Sequence, residues 1–181
     1  MFLRELTPTD EQEIKNMLLE YKKYDALINR FEGIIDFSNI NNYQEFLKQL
    51  ELNRHIEDIN PQYFSQTTYA LVDANNHIYG IINIRHCLTP SLLKQGGNIG
   101  YSIRPLERHK GYATLMLNLA LEKAKELAVN KGSTYEGKVL LTCRKENIAS
   151  AKTMLKCGAT YAGEEQNSLN KEIYQKYWLN T

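Results

Sequence analysis

The stretch Gly96–Leu119, GGNIGYSIRPLERHKGYATLMLNL, decides how this chain is read. Ile99 to Ile103 reads as a strand and ends at Pro105, which has no N–H to give a sheet ladder. Leu106 to Lys110 is a short polar, basic turn. Gly111 then opens a long amphipathic helix reaching about Ala128, with Leu115, Leu119, Leu127 and several alanines. A strand, a basic turn and a helix N-terminus together make an anion cradle. The first N–H groups of a helix lack partners within it, and the positive end of its dipole lies at the same place. Gly111 stands where the backbone must approach a ligand closely. Arg108 and Lys110 flank it with charge, His109 lies between them, and the N–H groups of residues 109–113 converge on one small volume. The spacing is not that of a nucleotide-hydrolysing loop. It suits a pyrophosphate attached to something larger.

Upstream of this stretch, Phe2 to Leu6 reads as a short edge strand. Thr7 or Thr9 caps a helix over about Asp10–Tyr24, with Pro8 at its start and Ile14, Leu18, Leu19 and Tyr21 at helical spacings. FEGIIDFSNIN shows little periodicity. A second helix covers about Asn42–Glu51, with Phe46, Leu47 and Leu50 on one side, and residues 55–66 form a loop closed by Pro61. From Thr68 the period changes to that of strands. Tyr69–Val72 and Ile78–Ile84 flank the turn Asp73–Asn76 as a hairpin. Arg85–Gly97 is a polar connection with one short helical turn. Downstream, Lys138–Cys143 is an apolar strand, Asn147–Lys156 a helix stopped by Gly158, and Thr160–Gly163 with Glu172–Trp178 a terminal strand pair. The pattern predicts an α/β domain with a mixed, mostly antiparallel sheet. A crossover links the third-strand region through the long helix to Leu140.

The 181 residues suffice for a core without disulfide staples, and 43% hydrophobic with 24% charged residues fits a globular protein. A net charge of +1 argues against a dedicated nucleic-acid surface. The charge is uneven: residues 1–60 hold 7 Lys+Arg against 12 Asp+Glu, and residues 61–181 hold 15 against 9. The acidic first part favours a cationic amine as ligand, the basic second part an anion. Cys87, Cys143 and Cys157 are odd in number and follow no zinc spacing, which points to a reducing compartment. Neither a signal peptide nor a membrane span is indicated, so the cytoplasm is expected.

Within RHKGYA, Arg108, Gly111 and Ala113 follow the pattern Gln or Arg, two residues, Gly, one residue, Gly or Ala. Asn147 opens NIASAKTMLKCGA, with Ser150 and Gly158 in the register of an Asn-x-x-Ala/Ser…Gly segment. On these residues the chain resembles the GCN5-related N-acetyltransferase family. The run GYSIRPLERHKGYA and INIRH at 82–86 are similar to a bacterial subgroup of predicted acetyltransferases. The resemblance implies helices on both faces of the sheet and a splayed strand pair holding acetyl-coenzyme A, with no metal. Tyr101, Ser102 and Ile103 would line the pantetheine arm, and Arg108, His109, Lys110, Gly111, Tyr112 and Ala113 the pyrophosphate. Asn147 and Ser150 would meet the cofactor from the other side. It further implies one domain over 1–181, with 67–160 as the coenzyme A-binding core and 1–66 as a variable acceptor-side portion. The acceptor would be an amine of a small molecule or a peptide N-terminus, with no nucleic-acid or membrane partner; a homodimer is common in such folds.

Direct transfer to an amine needs a neutral amine, a polarised thioester carbonyl and a stabilised leaving thiolate. His86, after a strand and titrating near neutrality, is the candidate base. Asn98 and Tyr101 flank the cofactor strand as candidates to bind acceptor or carbonyl, although Tyr101 equally fits plain strand packing. Cys143 reads as a core thiol. Three departures from the family stand out. Met154 occupies the position of the usual general-acid Tyr, and a thioether cannot donate a proton. Ala159 replaces the usual Phe, and residues 130–138, NKGSTYEGK, form an insertion read as a lengthened surface turn. Met154 keeps open an alternative, a coenzyme A-binding regulatory protein with little or no turnover.

Overall fold

The computed structural model describes residues 1–24, 42–56, 64–168 and 170–181. The expectations for FEGIIDFSNIN and for most of the 55–66 loop fall outside these. Among these residues, seven strands divide into two antiparallel sheets. The first has the order β1-β2-β3-β4: β1 Phe2–Arg4, β2 Gln66–Val72, β3 Ile78–Arg85 and β4 Ile99–Ile103. The second has the order β5-β7-β6: β5 Lys138–Arg144, β6 Thr160–Gln166 and β7 Ile173–Asn180. The expected hairpin pairs β2 with β3, and β1 lies at the edge.

Side-chain alternation sends β2 and β3 residues to two faces. Ala70, Val72, Ile78 and Ile81 face α1 (Glu11–Tyr24) and α2 (Tyr43–Asn53). Leu71, Ile82 and Ile84 face α4 (Tyr112–Glu126), and α5 (Ile148–Lys156) adds Ala151 and Met154 to the same core. A short α3 (Pro90–Lys94) supplies the helical turn expected in the connection after β3. Helices therefore cover both faces. Two apolar stripes differ from their sequence reading. In α1 the buried face is Ile14, Met17 and Tyr21, while Leu19 is 61% exposed. At 100° per residue, Leu19 stands well over a third of a turn from Ile14, and Tyr21 returns almost onto it. In α4 the buried positions are Met116, Leu117, Ala120 and Ala124; Leu115 is exposed, since at 100° per residue it stands opposite Ala124.

The two sheets meet at the corner formed by residues 96–98. The Asn98 N–H donates to the Leu140 carbonyl (2.7 Å), and Gly97 bridges Leu141. Gly97, at φ +63°, permits this approach: a Cβ there would collide with the Leu140 carbonyl oxygen. Among the described residues no ladder continues between β4 and β5, so the strands splay. The predicted mixed character reduces to this. Every laddered pair is antiparallel, and α4 carries the chain from β4 in one sheet to β5 in the other.

Candidate active site

Gly111 is the N-cap of α4, in the left-handed region at φ +86°. A Cβ built on it meets no protein atom within 4 Å. The turn before it runs through Pro105–Glu107, a single 3₁₀ turn, and His109 is also left-handed at φ +63°. Among the described residues no acceptor is seen for the backbone N–H groups of residues 109–114. Partnerless helix N-terminal donors beside open space are what an anion cradle would need.

The cradle opens into a cavity of about 520 Å³ between β4, the first turn of α4 and the start of α5. Its walls include Tyr101, Ser102, Ile103, Arg108, His109, Gly111, Tyr112, Ala113, Asn147 and Ser150. Lys110 is the exception among the predicted cofactor residues. Its ammonium pairs with Glu107 at 3.0 Å and stands outside the wall, because the left-handed turn at His109 swings it outward. Arg108 anchors its Nε on the Ile103 carbonyl at 3.2 Å and lies over the Tyr21 ring.

The turn is braced from behind. Arg104 is nearly buried, and α1 grips it through Glu13 at 2.8 Å and Glu20 at 2.7 Å. His77 contacts Glu13 at 3.2 Å and Glu107 at 3.5 Å. Tyr21 donates its hydroxyl to the Ile103 carbonyl at 2.9 Å and meets Ser102 Oγ at 2.7 Å. Tyr21, Thr114, Ala149 and Thr153 also line this cavity. Sequence periodicity marks Tyr21 as buried but does not reveal that it reaches β4.

A second cavity of about 860 Å³ lies on the other side of the splay, walled by α3, β4, β5 and the start of α5. Among the described residues, four line both cavities: Tyr101, Asn147, Ala149 and Ser150. Asn147 caps α5 by accepting the Ser150 N–H at 3.1 Å, which fixes Ser150 at the junction. The Tyr101 hydroxyl then meets Ser150 Oγ at 3.0 Å. Burial pushes the Tyr101 phenol up to about 12, an effect the bond to Ser150 only partly offsets. At neutral pH Tyr101 is therefore a proton donor, not a base. Cys143 also faces the larger cavity; burial raises its thiol to about 11, which keeps it protonated and inert.

The other catalytic candidates lie elsewhere. Asn98 is fully buried and lines neither cavity. Its Nδ2 donates to the Arg85 carbonyl and to Asn130 Oδ1, and its Oδ1 accepts from Asn130 Nδ2 and the Leu140 N–H, all at 2.9–3.2 Å. It fastens the two sheets and has no donor left for a substrate. His86 also lines neither cavity. Its Nε2 sits 2.9 Å from Thr67 Oγ1, while its backbone ties Ser65 to Asn130. Met154 is buried in the core and touches no cavity, so no proton comes from that position. In the insertion, Asn130 completes the Asn98 pair and Tyr135 stacks on Trp178 at 5.1 Å. The loop is a brace, not a wall of the site.

The family model for the acetyltransferase (GNAT) domain matches residues 1–160. The chain belongs to the GNAT acetyltransferase family. It is an acetyl-coenzyme A-dependent acetyltransferase by that membership. Solved structures share the GNAT fold. Spermidine N-acetyltransferase from Vibrio cholerae in complex with CoA and spermine is 18% identical, with 98% of this chain and 94% of that one covered and a TM-score of 0.63. The microcin C7 self-immunity acetyltransferase MccE, in complex with acetyl-CoA and AMP, is 18% identical over 99% and 91%, at 0.63. A putative ribosomal-protein-serine acetyltransferase from Vibrio cholerae is 14% identical over 99% and 92%, at 0.64. No curated protein sequence matches this GNAT chain significantly. Among the described residues, no helix is long and apolar enough to cross a membrane. Nor do three or more His, Cys, Asp or Glu among them gather to hold a metal ion.

Proposed function

We propose that this GNAT protein transfers acetyl from acetyl-coenzyme A to an amine of a small molecule or a peptide N-terminus, by direct attack at the junction of the two cavities. The observation that carries this reading is the four-residue wall shared by the two cavities. One cavity has the cradle of a pyrophosphate; the other has room for an acceptor. The solved spermidine N-acetyltransferase, bound to CoA and spermine, lends support to an amine acceptor.

Acetyl-coenzyme A, when bound, supplies a thioester whose acetyl carbon the amine attacks. The N–H groups of residues 109–114 and the Arg108 charge would hold its pyrophosphate. Because no ladder among the described residues covers the outer edge of β4, the backbone of Tyr101 and the Ile103 N–H would pair with the pantetheine arm, while the Ile103 carbonyl stays tied to Tyr21 and Arg108. Tyr101, kept protonated by burial, would give its proton at the junction to the departing sulfur, in place of the family's Tyr at the Met154 position. As the C–N bond forms and the C–S bond breaks, the amine proton leaves to water through the open acceptor cavity. Holding the two reactants at one wall accounts for much of the rate.

Thiol release from acetyl-coenzyme A across an amine panel tests the reading. Amine-dependent release, with the acetylated amine found by mass spectrometry, is expected. Tight coenzyme A binding with no release from any amine would replace it with the regulatory alternative.

A further inference from the structure

The smaller cavity has a carboxylate in its wall. Glu107, the last residue of the 3₁₀ turn before the cradle, lines the same space as Gly111 and the first turn of α4. An acid beside the proposed seat of a diphosphate repels the ligand unless its charge is matched. Among the described residues two cations meet it, one at each oxygen. Lys110 Nζ lies 3.0 Å from Oε2, on a side chain that is half exposed. His77 Nε2 lies 3.5 Å from Oε1. Of these two kinds of side chain, imidazole is the one that changes its charge between about pH 5 and 8.

His77 is fixed from several sides. It stands in the turn between β2 and β3, where its backbone N–H donates to Asp73 Oδ1 at 3.1 Å. Its Nδ1 lies 3.2 Å from Glu13 Oε2 of α1, and Arg104 Nη1 lies 3.5 Å from the same nitrogen. Its ring meets the Tyr79 ring edge-on at 4.7 Å, and Tyr79 meets Tyr112, in the cavity wall, at 4.7 Å. The Tyr79 hydroxyl donates to Asp73 Oδ2 at 3.1 Å. Acids are in excess around the ring. Asp73, Glu13, Glu107 and, across Arg104, Glu20 bring negative charge, against Arg104 and Lys110. A charged imidazole adds a third cation there and can offer an N–H to both Glu13 and Glu107. A neutral one leaves the Glu107 charge to Lys110 alone.

Resting on the cradle reading above, we infer that His77 is a positioning residue for the cofactor: protonated, it holds the Glu107 carboxylate to the hairpin turn and matches its charge, so that the diphosphate meets an unopposed cradle, and its deprotonation weakens cofactor binding. A charge that favours the bound ligand is present below the imidazole range and lost as pH rises through it, so affinity falls toward alkaline pH.

The test is calorimetric titration with dephospho-coenzyme A from about pH 5.5 to about pH 8.5. That ligand keeps the diphosphate and lacks the phosphate monoester, a group whose second proton leaves near pH 6. Any titration of His109, in the cavity wall, is common to parent and variant and divides out of their ratio. The parent should bind about threefold to tenfold more tightly than His77→Gln at the acid end, and the two should converge at the alkaline end. In a Glu107→Gln background, where no carboxylate needs holding, the same substitution should change affinity by less than about twofold at any pH. Glu107→Gln alone carries the test should His77→Gln fail to fold: it should outbind the parent at the alkaline end and match it at the acid end. Pantetheine, which lacks the diphosphate, should show none of these differences. A parent-to-variant ratio constant with pH would overturn the inference and leave the cradle standing. So would a ratio that keeps its full size without Glu107, or one that pantetheine reproduces. Dephospho-coenzyme A that binds no better than pantetheine would remove the cradle itself, and this inference with it.

Discussion

Replacing Gly111 with Ala separates the backbone from the ligand. At φ +86° an L-residue sits in the left-handed region, which costs roughly 1–2 kcal/mol. No protein atom lies within 4 Å of the new Cβ, so no steric clash within the protein adds to that. A chain of this size then loses about 2–4 °C of Tm for each kcal/mol. The Cβ instead enters open space beside the N–H groups of residues 109–114, for which no acceptor is seen among the described residues. A phosphate displaced from them loses charge-favoured hydrogen bonds, and coenzyme A affinity should fall at least tenfold, or about 1.4 kcal/mol. Calorimetric titration with coenzyme A reads this directly, with pantetheine, which lacks the pyrophosphate, as the control. The reasoning is refuted if the variant binds coenzyme A as tightly as the parent does. Equal losses for pantetheine and coenzyme A would refute it too, since the damage would then not be at the phosphates.

Tyr101→Phe should lower kcat about a hundredfold, in the range of a lost general acid, with coenzyme A affinity little changed. Because burial raises the Tyr101 pKa to about 12, the parent pH–rate profile should show no loss from this group below about pH 11. His86→Gln should leave the shape of that profile unchanged, and a lost acidic limb would restore His86 to the reaction. Asn98→Ala leaves the Leu140 N–H and the Asn130 amide short of partners and should cost about 3 kcal/mol in urea denaturation. For Asp10, burial pulls the carboxyl up, but the bonds from Arg4 and Thr7 together with the Arg4 charge outweigh it and hold its pKa below the usual range. A depressed carboxyl stabilises the fold above its unfolded pKa of about 3.9, and that gain is lost as pH falls through the folded value. The stability gap between the parent and Asp10→Asn should be full at pH 7 and close in acid.

The cradle was legible because it is local. Pro105, the basic turn and Gly111 lie within seven residues, and each carries its signal by itself: a fixed φ, a charge, and freedom to take the left-handed region. The strands from Tyr69 to Ile103 were legible because their period is two and their turn chemistry is explicit. What the sequence hid depends on where distant elements meet. Asn98 and His86 have the right chemistry for catalysis. Their uses are set by Asn130 and Thr67, partners 32 and 19 residues away. Arg85 reads as the last residue of a strand, and only the approach of β5 gives it a cavity to face. Leu19 and Leu115 were misjudged for a simpler reason: hydrophobicity was counted where angle decides. Lys110 shows the reverse error, since a charge at the right spacing was turned outward by one left-handed residue.

The fastening of the two sheets at the Asn98 corner has a mechanical consequence. A fork held at its handle magnifies any change in its angle along its tines. From Asn98 to Tyr101 the chain extends about 10 Å, at roughly 3.3 Å per residue. A rotation of about 5° at the Asn98–Asn130 pair would carry Tyr101 by nearly 1 Å, a misplacement that can cost a hundredfold in rate. Two amides far from any reactant thus set the tolerance of the reacting geometry. Loosening them should blunt turnover well before the protein unfolds.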